Sequence, residues 1–197
     1  MIAPLVLASK SASRRTLLDA AGIAFEAQPA AIDEREIEAS LKGAGPAEIA
    51  EALSVAKAAH IAQRDRSRLV LGSDSLVVVE GERFDKPASR ANAAEHLRCF
   101  SGKMLELHSA AALVRGDACI WAEAACARLH VRELSDAFIE QYLAAEWPAV
   151  AACVGVFRIE AMGVQLFERI EGDQSTILGM PLIPLLGALR EEGVLLA

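Results

Sequence analysis

The sequence has no apolar run long enough to cross a membrane as a helix. Its strongest stretch, residues 69–79, is broken by Ser73, Asp74 and Ser75 and falls short of the roughly 20 residues a bilayer requires. It also has no CxxC pair: Cys99, Cys119, Cys126 and Cys153 match no zinc ligand set, so the reading is reduced thiols in a cytoplasmic protein. Met1-Ile2-Ala3-Pro4 contains no basic segment leading into an apolar one, and secretion is not indicated. Internal repeats, low-complexity tracts and linkers are missing, as is the GxSxG elbow of a serine hydrolase. His60, His96, His108 and His130 lie too far apart to suggest a metal motif. Positive charge is short as well, 20 Lys and Arg against 27 Asp and Glu for a net charge of -7. That balance excludes a broad duplex nucleic-acid surface, which needs clustered cations. A small anionic ligand needs only a local group of them.

What remains is 197 residues, 53% hydrophobic and 24% charged, enough to bury a core as one compact domain over residues 1–197. Leu5 to Ala8, the polar Ser9-Lys10-Ser11 and the Leu17, Leu18, Ala21 face before Gly22 read as strand, loop and helix. A second strand is expected over 23–28, followed by a polar segment from Asp33. An Ala-rich helix carrying Lys57 is expected over 47–66, then a strand running into Ser73-Asp74-Ser75 and on to a turn at Glu80-Gly81. A helix over 91–100, long antiparallel strands over 104–114 and 119–131, a helix capped by Ser135, a strand over 164–170 and a last helix over 181–190 complete the pattern. Strands alternating with helices, with several hairpins, predict an α/β fold with a mixed sheet.

Three groups of residues could carry chemistry. In Ser9-Lys10-Ser11-Ala12-Ser13-Arg14-Arg15, two arginines fall in the first turn of a helix, where the dipole disfavours each cation by roughly 0.3–1 kcal/mol. A bound phosphate would compensate, cradled by free N–H groups, hydroxyls and two guanidinium forks. The segment reads equally as a solvated loop with Ser11 or Ser13 as the N-cap. Asp74 is a carboxylate at the end of an apolar strand, costly to bury alone and placed where open α/β sheets bind ligands. A divalent metal bridging Asp74 to phosphate would relieve charge repulsion and polarise a water. The hairpin at Glu80-Gly81 would bring Lys86 within about a residue of being opposite Asp74. The alternative is a structural Asp–Lys ion pair or an Asx turn. Lys57 is the third cation; most helix lysines are simply solvated.

Taken together, Leu7-Ala8-Ser9-Lys10-Ser11-Ala12-Ser13-Arg14-Arg15, Gly72-Ser73-Asp74, Asp85-Lys86-Pro87, Phe100-Ser101-Gly102-Lys103 and Ile170-Glu171-Gly172-Asp173 resemble, in order, the Maf family of nucleoside triphosphate pyrophosphatases. The resemblance implies an elongated mixed sheet flanked by helices with a central cleft, shared with house-cleaning inosine triphosphatases, and a divalent cation, Mg2+ or Mn2+. A homodimer is consistent with it. Ser9, Arg14 and Arg15 match the phosphate-binding loop, Lys57 the helix lysine, Asp74 the proton acceptor and Lys86 the second active-site lysine. Residues 152–161, with Cys153 where the dTTP and UTP branch has lysine and Glu160 where it has glutamine, look like the branch acting on 7-methyl-GTP. Ser13 and Ser75 depart from that branch, which has Trp and Gln there. The expected activity is hydrolysis of a nucleoside triphosphate to monophosphate and pyrophosphate. The rivals are a nucleotide sensor of cell division that does not turn its ligand over, and an enzyme of the same fold preferring dTTP or UTP.

Overall fold

The computed structural model describes residues 5–196, so the Met1-Ile2-Ala3-Pro4 segment lies outside the described residues. In chain order the elements are β1 (Leu5–Leu7), α1 (Ala12–Ala20), β2 (Phe25–Ala27), α2 (Glu34–Ser40), α3 (Pro46–Ala62), β3 (Leu69–Val79) and β4 (Glu82–Phe84). They continue with α4 (Arg90–Phe100), β5 (Met104–Arg115), β6 (Ala118–Val131), α5 (Asp136–Glu146), β7 (Phe167–Glu171), α6 (Gln174–Ile177) and α7 (Leu182–Glu191). The fold is α/β: seven strands form one mixed sheet in the order β2-β1-β3-β5-β6-β7, with β4 paired to β3. The chain groups into two compact units. The long strands β3, β5 and β6 each contribute residues to both, so no linker marks the division.

The first unit takes residues up to Ser75, Ser109–Ala125 and those from Asp173 onward. β1 pairs in parallel with β2 and with β3, Leu7 standing opposite Leu71. Side chains alternate across a strand, and the alternation separates two cores. Leu5, Leu7, Leu69 and Leu71 pack on one face with Leu18 of α1 and Leu185 and Leu189 of α7. Val6, Ala8 and Val70 pack on the other with Ala58, Ile61 and Ala62 of α3. The α3 face explains Gly72: a Cβ there would overlap the Ser54 carbonyl and lie 2.9 Å from the Ala58 nitrogen. The helix is held at that short distance by the buried Ser54 hydroxyl, which donates toward the Ala50 carbonyl of its own helix and the Ala110 carbonyl of β5.

The second unit takes Leu76–His108 and Cys126–Gly172. Here β3 and β4 form the expected hairpin, with Glu80 and Gly81 both at positive φ. β7 pairs antiparallel with the end of β6, Leu129 opposite Ile170. α5 is capped by Ser135, as the sequence indicates. Several boundaries differ from expectation. The strand expected over 164–170 begins only at Phe167, because Met162–Leu166 closes into a 3-10 turn in which Gly163 lies against the Arg158 backbone. In the first unit, α3 stops at Ala62 rather than near residue 66. Two short helices interrupt segments read as polar or as a turn: α2, capped by Asp33 on the N–H groups of Arg35 and Glu36, and α6, capped by Asp173.

A Gly72→Ala substitution tests the close approach of α3 to β3. The added methyl meets backbone, which cannot rotate away, so overpacking should cost at least about 1–3 kcal/mol. The expected result is a lower urea midpoint with an unchanged slope; a variant as stable as the parent would show that the approach imposes no constraint.

Candidate active site

The site grows from the shortness of β1. Its ladder with β3 ends where the Ala8 N–H donates to the Leu71 carbonyl at 2.8 Å, after which the chain leaves the sheet through Ser9-Lys10-Ser11 into α1. β3 runs on, so Asp74 stands at the midpoint of an eleven-residue strand, not at a strand end as its flanking serines suggest. It nevertheless lies just past the carboxyl end of β1, which is where a parallel arrangement opens a ligand site.

Arg14 fills the gap left by β1. Its Nη1 donates to the Ser73 carbonyl at 2.8 Å, supplying the bond that the next N–H of β1 would have made, and to Ser9 Oγ at 3.3 Å. Nε donates to the Gly179 carbonyl at 3.0 Å and Nη2 to Ser75 Oγ at 3.0 Å. The expectation that both guanidinium forks face a ligand is therefore revised. The compensation that a first-turn arginine requires comes from protein carbonyls and hydroxyls, and one Nη2 hydrogen remains uncommitted. Burial pushes the Arg14 pKa down from its ordinary value, while Asp74 and Glu34 oppose that effect.

Other donors stay open. Ser11 caps α1 through a long 3.5 Å bond from the Arg14 N–H. The N–H groups of Ala12 and Ser13 have no acceptor among the described residues. The Arg15 side chain is exposed and makes no hydrogen bond or ion pair there, and Lys10 is likewise exposed. Ser9 is buried, its Oγ accepting from the Ser11 N–H at 3.2 Å.

On the α3 face Asp74, 7% exposed, forms an ion pair with Lys57, whose ammonium also lies 2.8 Å from Glu34 of α2. Sequence reasoning missed Glu34, because a glutamate beside an N-cap aspartate is an ordinary helix start. Only the packing of α2 against α3 gives it a role. Lys57 and the nearby Arg14 guanidinium balance the two carboxylates, and Asp74 has a second oxygen to offer. Among the described residues no group of three or more His, Cys, Asp and Glu side chains could hold an ion. The donor set instead suits a hard cation taking one or two carboxylates and completing its shell with phosphate oxygens and water.

Four sequence candidates remain. Ser13 is half-buried beside the open N–H groups, and Ser75 lies in the Arg14 network. In the second unit the β4 ladder ends at Phe84, so Lys86 follows as an exposed residue in the next loop, and Glu160 is exposed within the turn that begins at Ile159. Burial and Glu160 push the Cys153 thiol up, against Arg158 and Lys86. Cys153 is thus held as a neutral thiol and does not replace the cation of a lysine. Phe100-Ser101-Gly102-Lys103 is structural: Ser101 Oγ accepts from the Leu134 N–H at 2.8 Å and Lys103 pairs with Glu80 at 2.8 Å.

If Arg14 is a strut, Arg14→Lys should lose about 2–3 kcal/mol of stability, since a single ammonium leaves buried carbonyls unmatched. Urea unfolding checks this. An unchanged midpoint with weakened ligand binding would return Arg14 to the ligand.

The family described as Maf-like protein matches residues 4–192. A 7-methyl-GTP pyrophosphatase of Rhizobium meliloti (strain 1021) is 48% identical over 193 residues, covering 97% of each chain. A nucleoside triphosphate pyrophosphatase of Rhodopseudomonas palustris (strain BisB18) is 48% identical over 192 residues, covering 98% of this chain and 95% of its own. Among solved structures, a HAM1 protein from Coxiella burnetii overlaps 66% of this chain and 73% of its own at a TM-score of 0.42 and 17% identity. That overlap is too slight to add to the sheet order and the sequence match. A family match over nearly the whole length, with relatives close to half identical, places this chain in the Maf family.

Proposed function

We propose that the protein hydrolyses nucleoside triphosphates to the monophosphate and pyrophosphate. The observation that carries this reading is the Lys57 ammonium held between Asp74 and Glu34, together with the α1 start, where the Ala12 and Ser13 N–H groups have no acceptor among the described residues. Relatives named for the same reaction support it.

The Ala12 and Ser13 N–H groups and the free Arg15 guanidinium would bind phosphate oxygens. Ser9 and Arg14 keep that loop in place. Lys57, paired with Asp74, orients that side chain for the attacking water. Asp74 takes a proton from water, the water oxygen bonds to the α-phosphorus, and the bond to the bridging oxygen breaks as pyrophosphate leaves. Positioning and charge do most of the work, as expected for phosphoryl chemistry. A Mg2+ or Mn2+ ion held by Asp74 and Glu34 would neutralise phosphate charge and polarise the water. Lys86 is proposed as a further phosphate-binding cation on its motif alone.

For the base, Glu160 can accept from the guanine N1–H and exocyclic amine, which supports 7-methyl-GTP among the substrates. Ser13 and Ser75 in place of the branch's Trp and Gln remove an aromatic stack and an amide. Comparing 7-methyl-GTP, GTP, dTTP, UTP and inosine triphosphate decides the preference. Four free thiols support a reducing, cytoplasmic setting.

Asp74→Asn should lower pyrophosphate release about 10²–10⁴-fold, the range expected for loss of a general base, with nucleotide affinity nearly unchanged. Full activity in that variant would remove Asp74 from the chemistry. Glu34→Gln should raise the Mn2+ concentration for half-saturation about tenfold, read by electron paramagnetic resonance of free Mn2+. Unchanged Mn2+ binding would take Glu34 out of the cation site.

A further inference from the structure

Behind the Arg14 network lies a residue that no motif points to. Ser109, on β5, is fully buried, and its Oγ lies 2.9 Å from Ser75 Oγ, its one hydrogen-bond partner among the described residues. We infer that Ser109 donates to Ser75 and so fixes Ser75 as a donor, offering its hydroxyl proton to an acceptor oxygen of the bound nucleotide. The inference rests on the nucleotide reading above and concerns how that ligand is selected.

A pair of hydroxyls can share one bond in either direction. If Ser75 donated, the Ser109 proton would be left buried without an acceptor, an arrangement that folded proteins avoid. With Ser109 donating, that proton is satisfied. The Ser75 oxygen then accepts twice, from Ser109 and from Arg14 Nη2 at 3.0 Å, which uses both of its lone pairs.

Only the Ser75 proton is left to place. Its one protein acceptor is the Gly179 carbonyl at 3.4 Å. That oxygen already accepts from Arg14 Nε at 3.0 Å and from Ser73 Oγ at 2.8 Å, so its two lone pairs are filled. Ser73 is fully buried, whereas Ser75 keeps partial exposure. The better acceptor is therefore a ligand oxygen, on phosphate, sugar or a base carbonyl. A glutamine here could offer both an N–H and a carbonyl. Ser75, held in this way, can only donate, so a ring N–H or an amine of the ligand finds no partner at this position. Ser109 is a positioning residue that acts through Ser75.

The test is a double-mutant cycle on binding of the α,β-methylene analogue of GTP with Mg2+, measured by titration calorimetry on the full chain. Losing one net hydrogen bond should weaken Kd about fivefold in Ser75→Ala. Ser109→Ala should weaken it about threefold to fivefold, and the double variant should bind no more weakly than Ser75→Ala, because Ser109 has no route to the ligand except through Ser75. Ser109→Cys keeps the size and a weak donor, and should fall between the parent and Ser109→Ala; it carries the comparison if the alanine variant does not fold. Parent-like affinity in both Ser109 variants, or losses that add in the double variant, would overturn the inference. If the parent protein bound no analogue, the nucleotide reading itself would fall, and this inference with it.

Discussion

The Lys57 ammonium between the carboxylates of Asp74 and Glu34 is the constraint from which the site follows. A buried carboxylate must have a partner, and Asp74 has one only because α3 lies close enough to β3 for Lys57 to reach it. That approach requires Gly72, since any side chain there would strike the α3 backbone. It also requires α2 to close over the pair, which brings in Glu34. A motif that reads as one short string, Gly72-Ser73-Asp74, thus has three separate duties: the glycine admits the helix, the serine hydroxyl ties β3 to Gly179, and the aspartate meets the lysine.

The two faces of β3 divide the labour. Alternation sends Asp74 to the α3 side and Ser73 and Ser75 to the side of α1 and α7. The first holds Asp74 with Lys57 and the second holds a frame of hydroxyls, carbonyls and Arg14. They meet where β1 stops, because Arg14 takes over its ladder and ties the Ser9 loop and the start of α1 to β3.

Much of this was legible in the sequence. The β1, loop, α1 sequence of elements, the β3–β4 turn at Glu80-Gly81 and the long β5 and β6 strands follow from hydrophobic alternation and from glycine in turns. Asp74 stands out as an acid in an apolar run, and Lys57 and Arg15 as cations on elements that lead to it. The partners of Arg14 were hidden for a plain reason: two of its acceptors are backbone carbonyls, which every residue possesses, and Gly179 is remote in the chain. Glu34 and Ser109 were hidden similarly, since a helix-start glutamate and a strand serine acquire meaning only from what packs beside them. Helices as short as α2 and α6 carry too few turns for a periodic signal and are set by their aspartate caps.

The proposed attack of water on the α-phosphorus of a nucleotide beside Asp74 leaves a signature in the products. Turnover of GTP in water enriched in oxygen-18, with the products resolved by phosphorus NMR, reads the position of attack directly. The label should appear in the monophosphate and be absent from pyrophosphate. Label in pyrophosphate, or in free phosphate, would contradict the account.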